Sequence, residues 1–248
     1  MRNLIYLWCV LVTLTACQNQ NTASQNEETV KTSPEKEVEN PNYSHQGMPV
    51  VDVLYDGYVQ PIEGKEPSPG VDPEGARKVA STISLIRTED MVIVADPGMT
   101  AKGTWDGIIS QMKGLGVEAE AVTHVFISHH HPDHTTRVGA FPNATVVDFW
   151  ATYKDDVWSD HPDGYEMTKG VKVVQTPGHT EQDASLLVET EEGLYFLTHL
   201  WWNDQFAPKT DRLAEDPEAL EENRKEWITQ VDWIVPGHGK KFKNPNKK

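Results

Sequence analysis

Short apolar segments separated by turn signals run along most of this sequence, and this pattern constrains the fold more than any other feature. Hairpin turns are expected at 88–90 and 191–193. Helical spacing occurs from Trp105 to about Leu115 and from Asp216 to Val231. Many short strands with few helices predict a layered α/β architecture with mixed sheets. The segments that predict β-strands are rich in Val, Ile, Leu and aromatic residues: Val50–Tyr58, Ser81–Arg87, Met91–Ala95, His124–Ser128, Ala144–Val147, Val171–Gln175, Ala184–Glu189, Leu194–Leu197 and Trp233–Val235.

Residues 1–17 predict an export signal. Arg2 precedes an apolar stretch that ends near Leu14, and this stretch is shorter than the roughly 20 residues of a membrane-spanning helix. The sequence Leu14-Thr15-Ala16-Cys17 resembles the bacterial lipobox, in which the cysteine is lipidated and becomes the mature N-terminus. The alternative is an uncleaved anchor helix. In either case we expect an exported protein on the periplasmic or surface side, and the lipobox implies attachment to a bacterial membrane through Cys17.

Residues 18–45 are polar and predict a disordered linker, because they contain too few apolar side chains to form a core. Residues 46–248 are then expected to fold as a single domain. Cys9 and Cys17 are the two cysteines of the chain. Since Cys9 is expected to leave with the signal and Cys17 to carry lipid, the sequence predicts no disulfide.

The charge of the chain is strongly acidic. It contains 22 Lys and Arg against 38 Asp and Glu, a formal net charge of −16. A negative field of this size repels phosphate backbones, so extended nucleic-acid binding is not expected, although a local metal site could still accept one phosphodiester. A small-molecule substrate fits this charge better.

Seven of the ten histidines lie where predicted strands end. Residues 129–134 read His-His-His-Pro-Asp-His, directly after one strand, and His179, His199 and His238 follow three others. Strand ends that point to one edge of a sheet can converge there. Neutral imidazole and carboxylate are common zinc ligands, and a catalytic zinc needs three protein ligands and an open position. The six-residue run is therefore a strong indication of a metal site.

The run at 129–134 resembles the signature of the metallo-β-lactamase superfamily. The resemblance extends over about 81–242 and includes Val94-Ala95-Asp96-Pro97-Gly98, the turn at 176–180 and the segment 234–239. Within the superfamily, the C-terminal part is most similar to the group of metallo-β-lactamase domain-containing protein 1 and its bacterial relatives. The resemblance implies a four-layer αβ/βα sandwich in a single domain, with the metals at one edge.

The resemblance also implies roles for individual residues. Asp96 would orient a ligand imidazole. Asp133 would have two roles: it would bind a metal, and it would be the catalytic residue that orients the attacking water or transfers its proton. His130 is expected to point away from the metals. The implied ligands are His129, His131 and His179 for one zinc, and Asp133, His134 and His238 for a second.

One position departs from the family pattern. Relatives generally have Gly-Asp where this sequence has Thr198-His199, and that aspartate bridges the two metals. A neutral imidazole offers one lone pair, so His199 could cap one zinc but should not bridge two. The alternative for His199 is a buried polar residue without a ligand. We therefore expect one tightly bound zinc, with two as the upper count.

The predicted function is a zinc-dependent hydrolase that uses a metal-activated water. A small ester, lactone, thioester or β-lactam is the expected substrate class, and this choice rests on the family resemblance. One alternative is a phosphodiesterase or ribonuclease of the same fold. Another is a metal-binding lipoprotein without turnover.

Overall fold

The computed structural model describes residues 45–62 and 77–248. The predicted signal segment 1–17 with Cys17, and the predicted linker up to residue 44, lie outside the described residues. Within the described ranges, no helix is long and apolar enough to cross a membrane.

The described ranges contain three α-helices and fifteen β-strands. The helices are α1 Trp105–Gly114, α2 Pro132–Thr135 and α3 Pro217–Trp227. The strands are β1 Val50–Tyr55, β2 Tyr58–Pro61, β3 Arg77–Ala80, β4 Ile83–Arg87, β5 Val92–Ala95, β6 His124–Phe126, β7 Thr145–Val147, β8 Ala151–Lys154, β9 Val157–Asp160, β10 Tyr165–Thr168, β11 Val171–Gln175, β12 Ala184–Thr190, β13 Gly193–Thr198, β14 Trp233–Pro236 and β15 Phe242–Lys243.

One predicted strand is wrong in the structure. The segment Val50–Tyr58 does not form a single strand. Strand β1 ends at Tyr55, and β2 begins at Tyr58, after Asp56 and Gly57. Gly57 lies against the start of the next segment, where an added Cβ would be 2.5 Å from the backbone nitrogen of Thr82. Its own amide donates to Thr82 Oγ1 at 3.2 Å. The chain therefore leaves the sheet at Gly57, which a purely apolar pattern does not reveal.

The strands form two large sheets and one small sheet. The seven-stranded sheet has the order β1-β4-β5-β6-β7-β8-β9, and the six-stranded sheet has the order β10-β11-β12-β13-β14-β15. The small sheet pairs β2 with β3. Both predicted hairpins are present, as β4–β5 and β12–β13. The parallel pairs β5–β6 and β13–β14 direct their carboxyl ends toward one edge of their sheets.

The packing has four layers. Between the two large sheets lies a buried core that includes Phe126, Leu186 and Tyr195. On the outer face of the first sheet, α1 contributes Ile108 and Met112, which are four residues apart and so share one helix face. The helix α3 covers the outer face of the second sheet in the same way. The predicted four-layer αβ/βα sandwich is confirmed, and burial of each such side chain contributes about 1.5–3 kcal/mol.

Short backbone contacts tie the two sheets together at the edge where β5, β6 and β14 end. The Ala184 amide donates to the Ser128 carbonyl at 2.8 Å, and the Thr82 amide donates to the Gly237 carbonyl at 2.8 Å. Loops that follow strands of different sheets are thereby held within side-chain reach of each other. This edge is where the predicted site residues lie.

Candidate metal centre

Three histidines converge at this edge. His129 and His131 lie between β6 and α2, and His179 lies in the loop after β11. His131 Nδ1 is 2.9 Å from His129 Nε2 and 3.1 Å from His179 Nε2. Ligand atoms about 2.0 Å from a tetrahedral zinc are about 3.3 Å apart, so the nitrogen of His131 has nearly the spacing from each of the other two that one zinc requires. We call His129, His131 and His179 the three-histidine group.

Four further side chains form a second group beside the first. Asp133 Oδ2 is 3.6 Å from His134 Nε2 and 3.7 Å from His238 Nε2. His199 Nε2 is 3.1 Å from His238 Nε2. We call Asp133, His134, His199 and His238 the second group. Its donor set, three imidazoles and one carboxylate, is the kind of set that binds zinc in proteins.

His199, a member of the second group, also lies close to the three-histidine group. A ring nitrogen of His199 is within 4.8 Å of ring nitrogens of His129 and His179, and a ring nitrogen of His199 is likewise within 4.8 Å of ring nitrogens of His134 and His238. Because a neutral imidazole has one lone pair, His199 cannot bind two ions at once in that form. Gly237 makes room for this ring, since a Cβ there would be 2.4 Å from His199 Cδ2. The structure thus brings all seven sequence-predicted residues together and places His199 at their centre.

The outward nitrogens of these imidazoles are held by hydrogen bonds. His134 Nδ1 is 3.0 Å from Asp96 Oδ2, and His238 Nδ1 donates to the carbonyl of Ala80 at 2.9 Å. A proton fixed on Nδ1 leaves the lone pair on Nε2, which faces the second group. The contact between Asp96 and His134 is the one expected if Asp96 orients a ligand imidazole.

Asp211 holds His179 in the same way, and sequence reasoning missed it. Its Oδ2 accepts a hydrogen bond from His179 Nδ1 at 2.7 Å and from Trp202 Nε1 at 3.2 Å. Burial would raise the pKa of this carboxyl, but the bonds from His179, Leu213 and Trp202 outweigh burial and lower it. Asp211 therefore stays ionised and fixes the tautomer of His179. Asp211 lies in a loop, 32 residues after His179 in the sequence. No strand or helix pattern in the sequence indicates that it lies near the site.

Burial sets the protonation of the central histidines. It lowers the pKa of His129 and of His199 well below the usual value, and neighbouring histidines lower each further. The pKa of His238 falls to about 3, mainly because it is buried. For His134, burial lowers the pKa, but Asp96 and Asp133 outweigh burial and raise it. His129, His199 and His238 are therefore neutral imidazoles, the form in which a ring nitrogen binds a cation.

Two buried nitrogens of the second group have no hydrogen-bond partner among the described residues. These are His134 Nε2 and His199 Nδ1. Leaving a buried polar atom unpaired costs about 1–3 kcal/mol. A metal ion bound to His134 Nε2 would remove that cost for the first of them. The residues present therefore fit a metal ion.

His130 points away from both groups, as expected. Its Nε2 is 3.0 Å from Asp148 Oδ2, and its ring packs edge-on against Trp150. The side chain of His130 is 45% exposed, whereas that of His129 is fully buried. His129 and His130 are adjacent in the sequence, but His129 is buried and His130 is exposed.

Comparison with known proteins agrees with this geometry. The family model of the metallo-β-lactamase superfamily matches residues 76–200. The chain belongs to this superfamily, whose members include hydrolases. A solved structure of a metallo-β-lactamase-like protein from Thermotoga maritima has the same fold, with a TM-score of 0.60 at 19% identity over 79% of this chain and 100% of that one.

Two named relatives are informative. The chain is 28% identical to metallo-β-lactamase domain-containing protein 1 of Xenopus laevis over 204 residues, which cover 78% of this chain and 81% of that protein. It is 32% identical to an N-acyl homoserine lactonase of a Bacillus species over 144 residues. That match covers 44% of this chain and 58% of the lactonase. The group predicted from the sequence is therefore confirmed, and lactonases are also among the homologues.

Proposed function

We propose that this chain is a zinc-dependent hydrolase that cleaves a small ester, lactone, thioester or β-lactam. The observation that carries the proposal is that His131 Nδ1 lies 2.9 Å from His129 Nε2 and 3.1 Å from His179 Nε2, close to the spacing of ligand atoms around one zinc. Three imidazoles leave a fourth position open, as catalytic zinc sites do. When bound, zinc supplies Lewis acidity: it polarises a carbonyl oxygen and makes water a nucleophile near neutral pH.

Asp133 is the residue that we propose to orient the attacking water or accept its proton. It lies beside both His134 and His238, and its side chain is 14% exposed, so it is accessible from the edge of the site. The buried carboxylates Asp96 and Asp211 are already engaged with ligand imidazoles, and the buried Asp183 accepts hydrogen bonds from the amide and the hydroxyl of Thr180. That leaves Asp133 as the carboxylate best placed to act on substrate.

For metal content, we propose one tightly bound zinc, with two as the upper count. The three-histidine group offers three donors, and the second group offers four when His199 is included. Two divalent ions held in the two neighbouring groups would repel each other, and without a bridging carboxylate that repulsion would be less compensated, which favours unequal occupancy.

Among the substrate classes, a lactone or a similar carbonyl compound is favoured by the Bacillus relatives named N-acyl homoserine lactonases. A nuclease is disfavoured by the net charge of −16, since a polyanion would be repelled. A metal-binding lipoprotein without turnover would have the same metal ligands, so an activity assay is needed to distinguish it from a hydrolase.

The test is a substrate panel with the purified chain and its metal content measured in parallel. The panel contains N-hexanoyl homoserine lactone, a 4-nitrophenyl ester, an acyl thioester, a cephalosporin and bis-4-nitrophenyl phosphate. We expect hydrolysis of at least one carbonyl substrate, lost with a chelator and restored by zinc. Cleavage of the phosphodiester alone would support the nuclease, and zinc binding without any turnover would support the metal-binding protein.

We also propose that the protein is exported and anchored through lipidated Cys17, because residues 14–17 resemble a lipobox. Intact-mass analysis of protein from the membrane fraction should show loss of residues 1–16 and added acyl mass. A chain that retains Met1 and carries no acyl group would contradict this proposal.

A further inference from the structure

Two loops of the second sheet supply side chains to the metal centre. One loop, residues 176–183 between β11 and β12, contains His179. The other, residues 199–216 between β13 and α3, contains His199 and Asp211. We call them the His179 loop and the Asp211 loop. The hydrogen bond between His179 Nδ1 and Asp211 Oδ2, at 2.7 Å, joins them at the site. This bond therefore depends on how the two loops are held relative to each other.

Asn223, on α3, holds the His179 loop. Its Nδ2 donates to the carbonyl of Pro177 at 2.9 Å, two residues before His179. On the same helix, Leu220 packs against Gly178 so closely that a Cβ on Gly178 would be 2.5 Å from Leu220 Cα. The backbone just before His179 is thus fixed on α3, which limits where the imidazole can lie.

The next residue, Arg224, holds the Asp211 loop at two places. Its Nε donates to the carbonyl of Leu200 at 2.7 Å, directly after His199. Its Nη2 donates to the carbonyl of Pro208 at 3.1 Å, three residues before Asp211. One guanidinium therefore fixes both ends of the segment that separates His199 from Asp211.

The burial of Arg224 indicates what this side chain contributes. It is 7% exposed, and a buried charge is unfavourable unless it is paired and hydrogen-bonded. Glu221 pairs with it, with Oε1 at 2.7 Å from Nη1. A well-packed apolar side chain often gives equal or greater stability than a buried ion pair. What the guanidinium adds is direction, because its planar fork of donors fits one arrangement of the loop carbonyls. Its contacts thus point to a role in loop geometry.

We propose that Asn223 and Arg224 are positioning residues of the metal centre. Neighbours on a helix point in directions about 100° apart, so this pair can hold two loops at once. Together they fix the placement in which Asp211 bonds His179. That bond keeps the proton on Nδ1 and presents Nε2 to zinc. The inference rests on the proposed zinc-dependent function, and it adds two residues that act on zinc binding through the loops.

The first measurement is the Nδ1–H resonance of His179 in NMR spectra of the full chain, which reports the bond to Asp211. Its loss in Asp211→Ala assigns it. Arg224→Lys keeps the charge without the planar fork, and Asn223→Ala removes the bond to Pro177. We expect both variants to shift or broaden the resonance. Both should also weaken zinc binding by about 10–100-fold, as loss of the partners of ligand imidazoles does, measured by competition with a chelator of known affinity.

Two variants of the same helix are the controls. Trp227→Leu controls for stability, because the Trp227 ring packs against Phe196 of β13 with 5.0 Å between centroids. It should lower the unfolding temperature and leave the resonance and the zinc affinity unchanged. Lys225→Gln removes an exposed charge next to Arg224 and should also leave both unchanged. The same shift and the same loss of affinity in Trp227→Leu as in Arg224→Lys would overturn the proposal.

A double variant tests the route of the effect. If Arg224 acts through Asp211, Arg224→Lys should change zinc affinity by less than about twofold once Asp211→Ala has removed the bond to His179. A further loss of about tenfold in the double variant would contradict the proposal. So would an unchanged resonance in Asn223→Ala, which decides the matter where Arg224→Lys does not fold.

These measurements separate the inference from the proposed function, because neither the resonance nor the zinc affinity requires turnover. A protein that shows both effects and hydrolyses no substrate of the panel would reject the hydrolase and support the positioning role. A protein that hydrolyses substrate and shows neither effect would reject the positioning role alone.

Discussion

The His131→Ala variant should lose the zinc of the three-histidine group and all measurable hydrolysis. His131 Nδ1 is the atom that lies within 3.1 Å of both other nitrogens of the group. Its removal leaves two imidazoles, and the loss of a direct ligand should weaken zinc binding by at least about 100-fold, since even outer hydrogen-bond partners are worth 10–100-fold. Elemental analysis after dialysis, together with kcat/KM on the best substrate of the panel, would measure both effects.

The matched control is His130→Ala. His130 contacts Asp148 and Trp150 rather than the other imidazoles, so its removal should leave zinc content and kcat/KM nearly unchanged. If His130→Ala proves as damaging as His131→Ala, the assignment of the three-histidine group is wrong.

Gly98→Ala should disrupt the second group and destabilise the protein by several kcal/mol. An added Cβ at Gly98 would be 1.6 Å from the carbonyl oxygen of Asp133 and 2.6 Å from the amide nitrogen of His134. Both contacts are with backbone atoms of α2, which cannot rotate away as a side chain can. Overpacking a buried site costs about 1–3 kcal/mol, and displacing the backbone should cost more. Thermal unfolding and zinc content would be measured together.

Gly107→Ala is the control for this prediction. Gly107 lies within α1, and a Cβ there would meet nothing within 4 Å. Alanine in a helix is more stable than glycine by roughly 0.5–1 kcal/mol, so this variant should unfold at a slightly higher temperature and keep its zinc. A Gly98→Ala protein that matches Gly107→Ala in both measurements would show that α2 can shift without loss of the site.

The large-scale architecture could be predicted from the sequence because its central strands are strongly apolar. Strands such as β5 and β13 are buried in the structure, and their composition marks them clearly. By contrast, β9 is exposed at all four positions, and its residues give no apolar pattern to detect. The edge strands β9, β10 and β15, the strand β8 beside β9, and the pairing of β2 with β3 were not predicted, whereas the edge strand β1 was.

The site could likewise be predicted only in part. The ligand candidates could be predicted because each follows a strand, and neighbouring strand ends meet at one edge. Asp211 could not be predicted, because its contact with His179 depends on how a long loop folds back. His199 was predicted as a candidate from its place in the pattern, but its position close to the three-histidine group required the structure.

The most direct test of the account is a crystal structure of the zinc-loaded protein with anomalous data collected at the zinc edge. The account predicts an anomalous peak about 2.0–2.1 Å from His129 Nε2, His131 Nδ1 and His179 Nε2, with a fourth position that no protein atom occupies. It would be contradicted if zinc bound elsewhere in saturated crystals while these nitrogens remained in direct contact with one another.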